Sequence, residues 1–522
     1  MTTTLQLDPL EKQLKKLLLD AAAYIDKAED KKEVDQQLVL RWAGGWVRDK
    51  LLGQQSHDID VAINCMTGEV FGNKLRDFCD VPQNREKHNL RKEDLGNLHK
   101  IAKNPEKSKN LETATVKIFG LDVDFVNLRT ETYAEDSRNP QMDFGTAQED
   151  ASRRDATVNA LFYNIHTDEV EDFVGGLEDM QRRVIRTPLE PFQTFMDDPL
   201  RVLRLVRFAS RLGFTIEPPV KEYMGNEKVL SALRAKISRE RVGVEVEKML
   251  KGEHPRDAVR YIHELGLYYT VFTDPAKADM PEPSLESWSD TYDFLNNLAT
   301  NPLYDILITS DEERYLAWVL ACVVPFSRIP FDNSFAGLKK NPPAATLAAR
   351  EGIKAPNKLT ELVTAAVRHR EEIIELKKTV ISRGERMNER DYLGMPIRRW
   401  EAQGKHWRLQ VLFAILDDVM SRAQDSSQDD LNPTLDAVRE SWRVFMEHIQ
   451  SLDLLDAPSI KPLVDGRQLS KALGIKPGKW MSSALDVCVA WQLRNPKETD
   501  PAGAIDEVRR REGELGIAEL LK

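Results

Sequence analysis

Cysteine is scarce in this chain of 522 residues. There are four, Cys65, Cys79, Cys322 and Cys488, and no two of them form a CxxC pair. So few scattered thiols exclude a disulfide framework and argue against a cysteine-based zinc site. We therefore expect a reducing compartment.

Long hydrophobic runs are also missing. No stretch of 18 or more apolar residues is present, so we expect no helix that spans a membrane. The first residues, MTTTLQLDPLEKQ, show neither the basic and apolar regions of a secretory signal nor the Arg and Ser enrichment of a transit peptide. These absences predict a cytoplasmic protein, with nuclear and mitochondrial pools left open.

The chain has no excess of positive charge. Lys and Arg number 74 against 85 Asp and Glu, which gives a net charge of −11. Taken over the whole chain, this balance speaks against a nucleic-acid binder, whose affinity rests on neutralising phosphates. The remaining composition, 41% hydrophobic and 30% charged, is that of an ordinary folded protein. The length predicts three or four structural units.

Hydrophobic periodicity divides the chain into two kinds of structure. Residues 5–33 predict an amphipathic helix, and 38–64 predict a strand, a glycine turn, a helix and a second strand. Strand patterns return at 114–128 and 158–174, whereas the polar, basic stretch 82–112 predicts a long loop. From about residue 190 onward, apolar residues are spaced by three and four, as in helices. We therefore predict an α+β fold, with a small mixed α/β head followed by a long all-α part.

The first strand pattern ends at a pair of glycines. LVLRWAGG delivers the chain to Gly44-Gly45 at the start of a predicted helix. Glycines there leave backbone N–H groups unpaired and let a phosphate approach closely. Arg48, one turn into the helix, would add a charged fork to the same anion. A tight turn without a ligand is the alternative.

Carboxylates follow on the next strand. In HDIDVAI, Asp58 and Asp60 point to one face because side chains alternate along a strand. Two carboxylates so close repel each other unless a cation offsets them, and Mg²⁺ takes one or two carboxylates plus substrate phosphates as ligands. In a later pair, Asp122 is better explained by a turn, whereas Asp124 is a candidate third carboxylate. Three acids around two metal ions suit phosphoryl or nucleotidyl transfer.

The segment MDDPLRVLRLVRFASRLG (196–213) predicts one helix whose arginines share a face. At about 100° per residue, they fall within a stripe of about 120°. These arginines are Arg201, Arg204, Arg207 and Arg211. Without acidic residues downstream, the stripe suits a polyphosphate, and acidic caps before a solvated basic face are the alternative. Asp198 beside Arg201 would offer one acceptor and a fork of donors, which complements cytosine or adenine but not uracil or guanine.

Five motifs, in this order, resemble those of the class II tRNA nucleotidyltransferases, the CCA-adding enzymes of the polymerase-β-like superfamily. They are LRWAGGWVRDKLLGQQSHDIDVAI, SRRDATVNALFYN, EDFVGGLEDMQRRVIRTP, DDPLRVLRLVRFASRLGF and SRERVGVEVEKML. NPEKSKNLETATVKIFGLDVDFVNLR resembles the eukaryotic, fungal-like version of the segment between the first two. The resemblance covers residues 38–250 closely and 463–493 more weakly.

The resemblance implies a template-independent enzyme that transfers CMP, CMP and then AMP from CTP and ATP to the 3′ end of tRNA, with release of pyrophosphate. Asp58 and Asp60 would hold Mg²⁺. Residues of three motifs would bind the nucleotide: Gly44, Gly45, Arg48, Arg154, Asp155, Asp198, Arg201, Arg204 and Arg207. Asp198 and Arg201 would substitute for a template base.

The same resemblance implies three moving or adjusting parts. Gly175 and Gly176 would form a hinge, and the loop 82–112 would gate the change from C to A selection. Asp197 stands where many members of the family have glutamate. Its place within the arginine stripe would still let it orient Arg201, at shorter reach.

The resemblance also implies a domain order and partners. We predict an N-terminal helix (1–37), a catalytic head (38–180), a neck for base selection (181–250), a helical body (251–455) and a tail at the tRNA elbow (456–522). The protein is expected to be a monomer that binds tRNA, CTP and ATP. Across 182–211 seven arginines face three acids, so a basic cleft on an acidic body is expected. A poly(A) polymerase of the same superfamily and an inactive RNA-binding protein are the alternatives.

Overall fold

The structure, a computed structural model, describes residues 5–27, 36–56, 58–101, 113–132, 141–276, 280–331, 341–421 and 434–517. The chain divides into two compact units, Met1–Thr270 and Val271–Lys522. All strands of the described residues lie in the first unit, and the described part of the second unit is helical. The predicted α+β fold is confirmed. The finer division into five domains stays a prediction.

The strands of the described residues belong to one large and two small sheets. They are β1 (Leu40–Ala43), β2 (Asp58–Ile63), β3 (His99–Ile101), β4 (Thr113–Ile118), β5 (Leu121–Asn127), β6 (Arg129–Thr132), β7 (Gln141–Phe144), β8 (Phe162–Asn164), β9 (Glu169–Glu171), β10 (Val184–Ile185) and β11 (Thr215–Ile216). The large sheet has the order β3-β4-β5-β2-β1-β8-β9, and the small ones pair β6 with β7 and β10 with β11.

Helices of the first unit surround and follow this sheet. They are α1 (Pro9–Asp26), α2 (Gly45–Leu51), α3 (Gly68–Asp80), α4 (Pro82–Lys87), α5 (Ala147–Ser152), α6 (Gly176–Arg182), α7 (Pro191–Asp197), α8 (Leu200–Leu212), α9 (Pro218–Met224), α10 (Glu227–Lys236), α11 (Arg239–Leu250), α12 (Pro255–Glu264) and α13 (Tyr268–Phe272), which ends two residues into the second unit. Short 3₁₀ helices cover Lys92–Asp94 and Thr157–Asn159.

The second unit consists of helices over its described residues. They are α14 (Trp288–Leu298), α15 (Pro302–Leu307), α16 (Asp311–Val323), α17 (Ala344–Leu347), α18 (Asn357–Ile381), α19 (Arg390–Ala402), α20 (Trp407–Ser421), α21 (Leu435–Ser451), α22 (Gly466–Leu473), α23 (Trp480–Arg494) and α24 (Ala502–Arg510). Short 3₁₀ helices lie at Val324–Arg328, Glu385–Asn388 and Ala457–Ser459, and a short π-helix lies at Ala348–Gly352. In the ranges that the structure describes, no helix is both long and apolar enough to cross a membrane.

The N-terminal helix is shorter than the predicted 5–33. Asp8 accepts a hydrogen bond from the Glu11 N–H at 2.9 Å, and Glu11 accepts one from the Asp8 N–H at 2.7 Å. This reciprocal capping box fixes the start of α1 at Pro9. Residues 28–35, in the rest of the predicted span, lie outside the described residues.

The two faces of the large sheet differ in what covers them. Trp42 of β1 packs edge-on against Trp46 of α2, with ring centroids 4.7 Å apart. On β5, Phe125 meets Phe71 of α3 at 5.0 Å. Because side chains alternate along a strand, Asp124 lies on the face opposite to Phe125. One face of β5 is therefore buried under α3, and the other carries the predicted site.

Small residues cover part of the face that carries the site. Ala43 of β1, Ala62 of β2 and Phe162 of β8 form a buried cluster with alanines of α5 and the following turn, Ala147, Ala151 and Ala160. Alanine lets a helix approach a sheet closely. The sequence Arg153–Asp155, which directly follows α5, is thereby held beside the end of β1 and the first residues of β2.

The predicted loop 82–112 is wrong over its described part. Pro82 begins the helix α4, and β3 pairs with β4 through His99 and Thr115. The partners of β3 lie 12 or more residues further along the chain, so periodicity within the segment could not reveal them. Residues 102–112, about a third of the predicted gate, lie outside the described residues, and the gating role stays a prediction.

The contact between α3 and β5 can be tested at Gly68. A Cβ added there would lie 2.0 Å from the carbonyl oxygen of Phe125. We expect Gly68→Ala to lower the free energy of unfolding of the first unit by about 3 kcal/mol, because backbone must move to admit the methyl group. Urea unfolding, monitored by hydrogen exchange of the β5 amides, measures the free energy of unfolding of this unit alone.

Gly53→Ala is the matched control for that substitution. Gly53 has φ +73° but no atom within 4 Å of an added Cβ. Only backbone strain of about 1 kcal/mol is therefore expected. Equal losses in the two variants would contradict the close packing of α3 on β5.

Candidate active site

The predicted carboxylates lie on two neighbouring parallel strands. β2 pairs with β5 in a register that sets Asp58 beside Asp122 and Asp60 beside Asp124. All four residues therefore share one face of the sheet. Asp58 and Asp60 are exposed on this face, whereas the Ile59 between them is buried.

The environment of Asp60 disfavours the ionised form of its carboxyl group. The surrounding protein raises the pKa of this carboxyl to about 6, first through loss of hydration. Arg154 opposes the rise, while the carboxylates of Asp124 and Asp58 add to it. The side chain nevertheless remains exposed to solvent on the face of the sheet. A cation at this point would relieve the repulsion among the acids.

The donor set at this face fits a hard divalent cation. Asp58 and Asp60 offer exposed carboxylate oxygens, and Mg²⁺ is commonly held by one or two carboxylates together with substrate phosphates. Among the described residues, no group of three or more His, Cys, Asp or Glu side chains is gathered tightly enough to hold a metal. The roles of Asp58 and Asp60 as metal ligands and of Asp124 as a third catalytic carboxylate stay predictions.

Gly44 brings backbone next to this pair. Its φ is +68°, and its N–H donates to the Leu161 carbonyl at 3.0 Å. A Cβ at this position would lie 2.7 Å from Nη1 of Arg154 and 3.9 Å from Oδ2 of Asp60. Glycine is thus required both by the left-handed backbone and by the guanidinium beside it.

Arg154 is held in place beside Gly44 and Asp60. Its Nε and Nη2 donate to Oδ2 of Asp150 at 3.1 and 3.0 Å, and Nη1 donates to the Asn159 carbonyl at 3.0 Å. The guanidinium also lies 5.0 Å from the centre of the Phe162 ring. A fixed guanidinium therefore stands next to the carboxylate pair, and its contact with a nucleotide stays a prediction.

Arg48 lies deeper than its predicted role requires. It is 3% exposed, and its guanidinium donates to Asp49 at 2.7 Å and to the side-chain oxygen of Asn159. Burial lowers its pKa, which Asp49 partly offsets. Arg48 therefore ties α2 to the 3₁₀ turn Thr157–Asn159. Its contact with nucleotide phosphates, like that of Gly45, stays a prediction.

The arginine stripe is real, but it is not free of acidic partners. The pairs are Arg204 with Asp155 (2.5 Å), Arg207 with Glu245 (2.6 Å) and Arg211 with Asp49 (3.2 Å). The expectation of an unpaired stripe is wrong, because the acids come from other elements, far away in the sequence. Arg48, Arg204 and Arg207 also surround the ring of Phe208, at 5.8, 5.4 and 4.3 Å from its centre.

The placement of Asp197 within the helix of the stripe is also wrong. Asp197 ends α7 and accepts a hydrogen bond from Gln193 at 2.7 Å. Asp198 is extended, with φ −135° and ψ 94°, and separates α7 from α8. The residue before a proline disfavours the helical region, so Pro199 forces this break. The helical angle that set Asp197 beside Arg201 therefore does not apply.

Asp198 and Arg201 stay close through the backbone. The Arg201 N–H donates to the Asp198 carbonyl at 3.0 Å, and the Asp198 side chain accepts from the Leu200 N–H at 3.2 Å. Nη2 of Arg201 donates to the Arg153 carbonyl at 2.8 Å. The start of α8 is thus joined to the segment that carries Arg154. Base recognition by the two side chains stays a prediction.

The predicted hinge glycines are tightly held. Asp172 accepts hydrogen bonds from four successive N–H groups, at Val174, Gly175, Gly176 and Leu177. A Cβ on Gly176 would lie 2.3 Å from the Thr157 carbonyl. Close packing explains this glycine without motion, and the hinge stays a prediction.

Sequence reasoning missed the polar residues that support the site. Asn159 bonds to Arg48, Arg154 and Asp155, and Asp150 pairs with Arg153 and Arg154. Asn159 stands within the motif SRRDATVNALFYN, where its side chain could have been noted as a candidate. Glu131 and Glu245 left no comparable signal, because Arg153, Arg201 and Arg207, which they contact, are distant from them in the sequence.

Two family models match this chain, between residues 40 and 279. Residues 40–186 match the one described as the Poly A polymerase head domain. Residues 213–279 match the one described as the probable RNA and SrmB-binding site of polymerase A. A mixed sheet with a carboxylate pair beside a glycine turn, within this family match, defines the class as a nucleotidyltransferase.

Known proteins resemble nearly the whole chain. The nucleotidyltransferase lcsQ of Purpureocillium lilacinum is 51% identical, over 98% of this chain and 93% of its own. The mitochondrial CCA tRNA nucleotidyltransferase of Saccharomyces cerevisiae is 38% identical, over 89% and 87%. The chain belongs to the class II CCA tRNA nucleotidyltransferases, in their fungal-like form, as the motifs predicted.

Solved structures agree with this fold. The Thermotoga maritima CCA-adding enzyme complexed with tRNA_CCA aligns over 97% of this chain and 96% of its own, with a TM-score of 0.61 and 18% identity. Other solved CCA-adding enzymes of the same fold are complexes with ATP and with CTP. At this identity, the likeness concerns the fold alone.

The ion pair between Asp155 and Arg204 yields a pH prediction. Burial alone would raise the pKa of Asp155, but Arg204 and the Asn159 amide lower it to about 2. A carboxyl whose pKa is lowered by folding stabilises the protein at pH values above its pKa in the unfolded chain, about 4. This contribution is lost as the pH falls towards 2. Asp155→Asn should therefore be less stable than the wild type at neutral pH, and the difference should shrink below about pH 4.

Urea unfolding at a series of pH values, with hydrogen exchange of the α8 amides as readout, measures this difference. Asp122→Asn, which alters an exposed pair with Lys117 (3.2 Å), is the control and should follow the wild-type curve. A stability difference that stayed constant down to pH 2 would contradict the ionised, buried pair.

Proposed function

We propose that this protein adds C, C and A to the 3′ end of tRNA from CTP and ATP, and that Mg²⁺ is the metal it uses. The observation that carries the proposal is the pair Asp58 and Asp60 on β2, exposed beside Gly44 and Arg154 in a chain of the CCA family. The 3′-hydroxyl oxygen of the RNA forms a bond to the α-phosphorus of the nucleotide. The bond from that phosphorus to the bridging oxygen breaks, pyrophosphate leaves, and the hydroxyl proton passes to solvent.

The carboxylates have a specific role in this scheme. Asp58 and Asp60 would hold the cation, and Asp124, in register with Asp60, would add negative charge on the same face of the sheet. When bound, the cation lowers the pKa of the attacking hydroxyl and stabilises charge on the triphosphate. The raised pKa of Asp60 in the free protein supports this role, because such a carboxylate gains from a nearby positive charge.

Donors for the triphosphate would come from two parts of the chain, the glycine turn with Arg154 and the helix α8. Gly44 and Gly45 allow close approach of the backbone, and Arg154 stands fixed beside them. Arg204 and Arg207 extend the positive charge along α8, with their acidic partners setting the direction of each guanidinium. Asp155 and Arg48 act mainly by orienting these groups.

Base choice is assigned to the start of α8. Asp198 and Arg201 offer an acceptor beside donors, a pattern that cytosine and adenine satisfy and that uracil and guanine oppose. The extended backbone at Asp198 and the bond from Arg201 to the Arg153 carbonyl support a fixed placement of both. No nucleic acid template is needed for this discrimination.

Domain roles, oligomeric state and location belong to the same proposal. The neck (181–250) selects the base, the body (251–455) is a scaffold, and the tail (456–522) contacts the tRNA elbow. We propose a monomer with cytoplasmic and nuclear pools. The mitochondrial name of the yeast relative supports an additional mitochondrial pool.

The deciding experiment offers the purified protein a tRNA that lacks its last three nucleotides. We expect CTP alone to give two additions, CTP with ATP to give three, and the reaction then to stop. Sequencing of the 3′ ends measures the products. Unlimited AMP addition to any RNA would instead indicate a poly(A) polymerase, which the name of the head-domain model keeps as the second candidate. No addition at all would indicate an RNA-binding protein.

Asp60→Asn tests the carboxylate pair. The amide keeps the shape of the side chain but cannot offset a cation, so incorporation of both CMP and AMP should fall on the order of a thousandfold. Binding of tRNA, measured by filter retention, should be unchanged. Asp122→Asn removes a carboxylate from the same sheet face, in register with Asp58, and should keep wild-type rates. Normal turnover in Asp60→Asn would overturn the metal assignment.

A further inference from the structure

We propose that Glu131 is a positioning residue that fixes the guanidinium of Arg201 for base selection. The inference rests on the proposed function, since it assumes that Arg201 reads the incoming base. Glu131 lies on β6, outside every motif that identified the family. Its side chain is 6% exposed and stands between three arginines.

The contacts of Glu131 join two separate parts of the unit. Oε1 accepts hydrogen bonds from Nε of Arg129 and from Nη1 of Arg153, both at 2.9 Å. Oε2 faces the other way and lies 3.8 Å from Nη2 of Arg201. The same Nη2 donates to the Arg153 carbonyl at 2.8 Å. One carboxylate therefore holds the residue that follows α5 and neutralises the arginine that begins α8.

Charge makes this carboxylate necessary. Arg129 and Arg201 are 6% and 8% exposed, and Arg153 and Arg154 add two further guanidinium groups nearby. Asp150 forms salt bridges with Arg153 and Arg154. Within the described contacts, Glu131 is the carboxylate that approaches Arg201 from β6. Without it, buried like charges would repel each other and turn Arg201 out of place.

The network also spans the ends of the nucleotide. Arg154 stands beside Asp60, where the triphosphate is proposed to bind, and Arg201 stands where the base is proposed to bind. Asp150 and Glu131 connect the two through Arg153. A change at Glu131 should therefore alter base choice more than the chemistry at the carboxylates.

The test compares Glu131→Gln with Glu171→Gln. Glu171 on β9 is the control, since its partly buried carboxylate also accepts hydrogen bonds from an arginine, Arg41, and from Asn164 at 2.8 Å. We expect Glu131→Gln to lower the ratio of kcat/KM for CTP over UTP roughly tenfold, mainly through a higher KM for CTP. Glu171→Gln should keep the wild-type ratio.

Coupling to Arg201 separates positioning from general stability. Arg201→Ala alone should lose selectivity, and adding Glu131→Gln to it should cause no further loss, because the two act as one unit. Glu131→Asp keeps the negative charge on a shorter side chain and should recover part of the ratio of kcat/KM for CTP over UTP. This variant also tests the proposal if Glu131→Gln fails to fold. A wild-type ratio in a folded Glu131→Gln protein, or fully additive effects with Arg201→Ala, would overturn the proposal.

Failure of the proposed function can be recognised separately. If the wild type adds no nucleotides to the shortened tRNA, the function is wrong, and CTP binding measured without RNA then tests Glu131 alone. In that case Glu131→Gln should bind CTP several-fold more weakly than Glu171→Gln. Equal affinities would overturn the positioning role.

Discussion

A buried guanidinium needs a buried carboxylate, and this constraint organises the candidate site. Arg48, Arg129 and Arg201 are each less than a tenth exposed, and a charge so placed is costly unless it is paired and hydrogen-bonded. Asp49 pairs with Arg48, and Glu131 pairs with Arg129 and lies near Arg201. Asp150, Asp155 and Glu245 pair in the same way with Arg154, Arg204 and Arg207. These acids also link elements that are separate in the sequence, Asp49 through Arg211, Glu131 through Arg153 and Asp150 through the N–H of Arg129. The ion pairs therefore set the positions of β6, α5, α8 and α11 around the sheet.

The sheet contributes the second fixed reference. The parallel pairing of β2 with β5 determines that Asp58, Asp60 and Asp124 share a face, and the antiparallel pairing of β1 with β2 sets Ala43 opposite Asp60. Gly44 must then follow β1 directly beside the carboxylates. Alanines on this face leave room for α5, which brings Arg154 to the same point. The geometry of the site thus results from strand register and small side chains together.

Local pattern was enough to predict some of this arrangement. Alternation along β2 placed Asp58 and Asp60 on one face, and the glycine pair marked the start of α2. Pairing between distant segments was not predictable in this way. The strand β3 inside the supposed loop depends on β4, and the acidic partners of the arginine stripe depend on the tertiary fold. Pro199 was a local signal for the break at Asp198. The prediction relied instead on the helical angle per residue and extended one helix through this position.

The net charge of −11 gains a physical interpretation from these pairs. The excess of arginines over acids across 182–211 would give a strongly positive surface only if the arginines were free, but Arg204, Arg207 and Arg211 each contact an acid. Paired guanidinium groups still donate hydrogen bonds to an anion, yet they carry less long-range field. Direct contacts, rather than long-range electrostatic attraction, should therefore dominate nucleic-acid recognition at the arginines of α8. Because neutralised groups release few counterions, the local contacts should be less salt-sensitive than the arginine count implies.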